Sequence, residues 1–226
     1  MQLGLIEMWQ QMGPVAKTVA FLLICLSVIS IYLFIERQIT FAKARNKSKL
    51  VAPALADMLK KGQLREALTL SSKKDNKGSH LARVTAAGIQ EFMEAGEAKL
   101  GIEEQIESAQ RGCLRATSIF TQDLRSGLSL LATIATSAPF ICLFGTIFGI
   151  ITAFRGMALT GSGGIGAVAA GIAEALITTA FGILVAVIAL WCYNLLNTRV
   201  DVYVAEMENT TSQIVDFFVR KTEAKE

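Results

Sequence analysis

The sequence predicts an all-α integral membrane protein with three transmembrane helices. Two observations carry this. The chain of 226 residues is 52% hydrophobic and its mean hydropathy is positive, which is more apolar than a water-soluble domain. Its apolar residues also collect in three stretches, Val15–Ile35, Leu128–Phe154 and Ile165–Leu196. Each reaches the ~20 residues that a helix needs to cross a bilayer.

The elements follow in order. Residues 1–14 contain Glu7 and no Lys or Arg, so the basic start of a cleavable leader is missing and the first span, 15–36, is expected to stay as an anchor. Lys17 lies just inside it and can snorkel outward. Basic residues then crowd the far side of that span: Arg37, Lys43, Arg45, Lys47 and Lys49. Arg111, Arg115 and Arg125 precede the second span. By the positive-inside rule, region 37–127 and the tail 197–226 are cytoplasmic. Segment 1–14 and the short 159–166 loop, between spans 128–158 and 167–196, face outward. The net charge of +3 reflects this bias and gives no reason to invoke nucleic acid.

Inside 37–127 the pattern predicts two short helices, VAPALADMLKKG and QLREALTLSS, separated at Gly62. A polar loop at 71–79 and a helical piece from His80 to Ala95 come next. After Gly96, apolar residues recur at 102, 106, 109, 113, 120, 124, 128 and 131, steps that fit one helix face. Glu107 can pair with Arg111 four residues on. No proline intervenes before Pro139, so this helix is expected to run unbroken into the second span. Past Asn197, Val200, Tyr203, Val204, Met207, Ile214 and Phe218 repeat every three or four residues and extend the third span as an amphipathic helix.

Several features point away from other chemistry. The cysteines at 25, 113, 142 and 192 have no CxxC spacing and read as small packing residues. His80, the one histidine, follows the polar run SSKKDNKGS and reads as a solvated loop residue with no second ligand at metal spacing. GSGGIG at 161–166 matches a dinucleotide-loop spacing, but a membrane helix precedes it and no acidic residue follows at the required distance. It reads as a turn.

Glu174 is the residue that asks for a function. It is the only charged residue from Ile165 to Cys192 and lies about ten residues into the third span. A carboxylate in hydrocarbon is costly and by default marks an ion or proton path. Hydroxyls share its two spans: Thr133, Thr136, Ser137 and Thr146 in the second, Thr178 and Thr179 in the third. Thr178 is one turn from Glu174 on nearly the same face. Thr residues in membrane helices also bond their own backbone, so each hydroxyl alone says little. Gly145, Gly149 and Ala153, then Ala167, Gly171 and Ala175, then Gly182 and Ala186, repeat small residues every fourth position and predict close helix packing.

SAPFICLFGTIFGIITAF (137–154) and AAGIAEALITTAFGILVAV (169–187) resemble signature segments of the MotA/TolQ/ExbB proton-channel family, on its ExbB/TolQ branch. Ala170, Cys142, Thr178 and Phe148 depart from the residues usual there. The resemblance implies a pentameric ring of this chain around two copies of an ExbD/TolR-like single-span partner, in a bacterial inner membrane. It implies that protons are the coupling ion and that force reaches an outer-membrane task, with a TonB/TolA-like protein as a further partner. The family's pore carboxylate falls on Glu174 and its threonines on Thr146 and Thr179; Thr178 is an added candidate. No cofactor or metal is expected. The alternatives are a structural scaffold with Glu174 hydrogen-bonded, and an intramembrane enzyme, for which a His pair, paired Asp or Ser–His arrangement is lacking.

Overall fold

A computed structural model describes residues 12–160 and 165–223. The regular elements among them are helices: α1 (Pro14–Lys60), α2 (Leu64–Ser72), a single 3-10 turn (Lys74–Asn76), α3 (His80–Glu97), α4 (Ile102–Arg125), α5 (Leu128–Thr160) and α6 (Ile165–Glu223). Three of them, α1, α5 and α6, are long and apolar enough to cross a membrane. Residues 161–164, which hold most of the glycine-rich turn, and most of the N-terminal segment lie outside the described residues.

Two compact units divide the chain. The first takes in the chain up to Ile35 and Gly127–Leu195; the second takes in Glu36–Ser126 and the chain from Leu196 onward. The first unit is held by one apolar cluster drawn from three helices. Val19 and Leu23 of α1 meet Ile134, Ala138 and Cys142 of α5 and Val185, Ala186 and Ala189 of α6.

The second unit has its own core. Phe41, Val51 and Leu55 of α1, Ala67 of α2, Val84 and Ile89 of α3, Cys113, Phe120 and Leu124 of α4, and Val200, Met207, Ile214 and Phe218 of α6 are all buried. The periodicity read from the tail is therefore its core face. Burial pushes the Cys113 thiol up to about 11, so it stays protonated and packs as an apolar group.

Four expectations are corrected. The predicted short helix around Val51 is the end of α1, which runs through Pro53. Proline removes one backbone donor, but Lys49, four residues back, is exposed, so water can take its carbonyl, while buried Val51 and Leu55 hold the segment in line. The run from α4 into the second span is broken at Ser126–Gly127. Gly127 takes φ +78°, a left-handed conformation that ends a helix, and α5 starts afresh with Leu131 N–H donating to Gly127 O at 3.3 Å. Ile102, at the start of the α4 stripe, is exposed. His80 is not a solvated loop residue: Ser79 caps α3 by accepting from Ala82 N–H, and His80, the first residue of that helix, is fully buried.

Candidate functional site

The small residues singled out in the second and third spans meet in the first unit, where α5 and α6 pack antiparallel, whereas Thr133 and Thr136 are exposed and bond their own helix. Gly171 faces Ala153, Gly149 faces Ala175 and Gly182 faces Cys142. The approach is close enough to need glycine: a Cβ on Gly171 would come within 2.8 Å of Ala153 Cβ, and one on Gly149 within 3.2 Å of Ala175 Cβ. Gly145 is turned toward α1, where a Cβ would meet Val19 at 3.0 Å. Small side chains let the helix backbones draw together in this way.

The same register brings Thr146 of α5 level with Thr178 of α6. Both are buried, and both hydroxyls are spent on their own helix. Thr146 Oγ1 donates to Leu143 O at 2.7 Å and Thr178 Oγ1 to Glu174 O at 3.1 Å. Thr178 therefore touches the backbone of Glu174 and leaves its carboxylate alone. Thr179 differs: its Oγ1 is buried without a nitrogen or oxygen partner, and the polar atom beside it is the Cys142 sulfur, a weak acceptor whose own thiol donates to Pro139 O. A buried hydroxyl with no partner costs on the order of 1–3 kcal/mol, so this position is suited to meeting something polar from outside the chain.

Glu174 is half-buried. It stands one residue before Ala175, which packs on Gly149, and so borders the α5–α6 seam. Among the described residues, the charged group within electrostatic reach of it is Lys17 of α1, a neighbour that the third span alone could not reveal. A carboxylate at the edge of a tight apolar seam can take up or release a proton where a permanent charge would be costly. Lys17 acts on it electrostatically, and Thr179 follows five residues on along α6.

Comparison with known proteins bears on the same segment. A sequence model of the MotA/TolQ/ExbB proton channel family matches residues 76–209, more than half of the chain, including Glu174 and all three threonines. The chain is 29% identical over 208 residues to the biopolymer transport protein ExbB of Pseudomonas putida, covering 92% of this chain and 61% of that protein. It is 37% identical over 112 residues to ExbB of Xanthomonas campestris, covering 50% of this chain and 44% of that one. Similarity to the Tol-Pal system protein TolQ of Haemophilus influenzae runs through 99% of this chain and 97% of that protein, at 28% identity. The chain thus spans less than two thirds of the two ExbB proteins and nearly all of the TolQ protein.

Proposed function

We propose a function for a chain that belongs to the MotA/TolQ/ExbB proton channel family: it is the channel-forming subunit of a motor in a bacterial inner membrane, driven by the proton-motive force. The observation that carries this reading is Glu174, a half-buried carboxylate in an apolar helix that packs through glycines. Glu174 takes and releases the proton. Thr179, with its unpartnered hydroxyl, anchors water or a partner's polar group further along the same helix. Thr146 and Thr178 line the same seam. The coupling ion is the proton, no cofactor takes part and no bond is made or broken in a substrate.

Assembly completes the path in this reading. Phe140, Phe144, Leu176 and Trp191 are exposed on the first unit, and such area is covered by lipid or by neighbouring helices. Five copies in a ring around two ExbD/TolR-like single-span helices place Glu174 against a partner carboxylate, with N-termini in the periplasm and C-termini in the cytoplasm. About 2.3 kcal/mol is available per charge per 100 mV. That drives a TonB-dependent uptake process or a Tol-type envelope process, through a TonB/TolA-like protein.

Glu174→Gln keeps the shape and removes the titratable proton. The variant is expected to assemble with its partner, as read by crosslinking, and to conduct no protons in vesicles under an imposed gradient. Wild-type flux in an assembled variant refutes the reading. The scaffold alternative has Lys17 in its favour, because a cation near Glu174 would neutralise it in place. In a scaffold, Lys17→Met combined with Glu174→Gln restores any stability lost in either single variant and flux is absent throughout; in a channel, wild-type flux is present and Glu174→Gln alone abolishes it.

A further inference from the structure

Ser48, Ser79, His80 and Glu206 form one chain of hydrogen bonds inside the second unit. The His80 ring is buried between Tyr203, with ring centroids 4.9 Å apart, and Phe120, at 6.2 Å. Its Nε2 lies 2.6 Å from Glu206 Oε2 and its Nδ1 2.9 Å from Ser48 Oγ. Ser48 Oγ lies 2.8 Å from Ser79 Oγ, and Ser79 Oγ accepts the Ala82 N–H at 3.2 Å as the cap of α3. The chain therefore ties α1, α3 and α6 together at one buried point.

Donor and acceptor rules fix its direction. A carboxylate only accepts, so His80 Nε2 carries a proton. In a neutral ring Nδ1 is then the acceptor: Ser79 O–H donates to Ser48, Ser48 O–H to Nδ1, and Nε2–H to Glu206. Every donor is matched. A proton added at Nδ1 reverses the sequence. Nδ1–H donates to Ser48, whose O–H loses its acceptor; if it turns to Ser79 it displaces the Ser79 O–H, and if it does not it is itself left over, so the Ser48–Ser79 pair holds one O–H more than the chain receives. A buried donor left unmatched is a large penalty relative to one hydrogen bond formed. That penalty falls on the Ser48–Ser79 pair, of which Ser79 is the cap of α3.

We propose that this chain is a proton-binding switch in the second unit: proton uptake by His80 leaves the Ser48–Ser79 pair with an unmatched O–H, and Ser79 turns away from Ala82 to match it, loosening the first turn of α3. The proton is taken from bulk water when the site opens, because Nδ1 faces Ser48 and Nε2 already carries the proton given to Glu206. The bond formed is Nδ1–H and no electron changes hands. The switch is separate from Glu174 and stands whether or not Glu174 carries protons.

The surrounding charges leave His80 and Glu206 as a local pair. Glu206 is the charged group that acts on the imidazole. Arg45 of α1 and Arg199 of α6 act on Tyr203, whose hydroxyl is engaged with Phe41 O at 2.9 Å. Arg83 of α3 lies over the Phe120 ring and is ion-paired to Asp123 of α4 at 3.0 Å. Lys47 of α1 packs on Gly78. Burial pushes the His80 imidazole below its usual range and Glu206 offsets this only in part, so the switch operates on the acid side of neutrality.

The test is amide hydrogen exchange of the full-length protein in nanodiscs between about pH 5 and 8, corrected for intrinsic exchange, with His80 imidazole shifts followed by NMR. Protection at Ala82 and Arg83 is expected to fall by up to roughly tenfold per pH unit below the His80 transition, at the same midpoint as the imidazole titration. Glu206→Gln is expected to move that midpoint to lower pH. His80→Gln is expected to remove the pH dependence. Opening retained in His80→Gln, a midpoint unmoved in Glu206→Gln, or pH-independent protection in the wild type overturns the proposal. If either variant fails to fold, the wild-type comparison decides: coincident midpoints support the switch and separate midpoints refute it.

Discussion

Gly182 and Cys142 pack so closely that a Cβ on residue 182 would occupy the space of the Cys142 side chain. Both atoms of that side chain are in the way, and the cysteine is fully buried, so it has nowhere to turn. Gly182→Ala is therefore expected to destabilise the first unit by about 1–3 kcal/mol. Gly171→Ala follows, against Ala153, and Gly149→Ala, whose nearest atom is 3.2 Å away, is the mildest. Gly156→Ala meets nothing within 4 Å and should be neutral. Thermal unfolding of the purified protein in detergent ranks the four, and a flat ranking would refute the packing.

Gly127 separates α4 from α5 by its left-handed backbone. A side chain at φ +78° costs roughly 1–2 kcal/mol for an L-residue, while the space itself is permissive, with Leu33 at 3.4 Å. Gly127→Ala should lower stability by about that amount and Gly127→Asn by less, because asparagine tolerates this region. Equal losses in the two variants would point to crowding instead of backbone strain.

The pH dependence of stability follows from His80. Its folded-state pKa is depressed by burial below the value of about 6.5 in an unfolded chain. The neutral ring therefore contributes stability that is fully present above about pH 6.5 and is lost as pH falls through the lower, folded-state value. Chemical unfolding of the protein at a series of pH values should show stability rising with pH across that window. His80→Gln should flatten the rise, and an unchanged slope in that variant would assign it to other groups.

Thr179 has an unpartnered buried hydroxyl, whereas Thr146 and Thr178 bond their own helices. Thr179→Val removes a polar atom that the single chain does not satisfy, so stability should hold or rise, by up to about 1–3 kcal/mol. Proton flux through the assembled complex should fall, by less than in Glu174→Gln. Unchanged flux would leave Thr179 a packing residue. Thr146→Val, which loses a hydrogen bond already made within α5, should affect stability slightly and flux less than Thr179→Val.

The helical class, the three apolar helices and the position of the lone carboxylate are legible in the chain of residues alone. Those signals are local: the length of an apolar run, the four-residue repeat of small residues, the periodicity of Val200, Tyr203, Met207, Ile214 and Phe218. Each depends on neighbours a few positions away, which is why it can be read from one chain. Family membership was legible for the same reason, in two short stretches around Thr146 and Glu174. Features that depend on distant partners emerge only once the helices pack. Pro53 stays inside α1 because Val51 and Leu55 find a core. The α4–α5 break depends on a backbone angle at Gly127 that no apolar pattern encodes. Lys17 comes within reach of Glu174, and Thr179 is left without a partner, only through the way three helices meet. His80 shows the difference most sharply. Its sequence neighbours are polar, so it reads as a surface residue, but Ser48 and Glu206, far away in the chain, close around it. A buried hydrogen bond is chosen by geometry in three dimensions, and local composition carries no record of it.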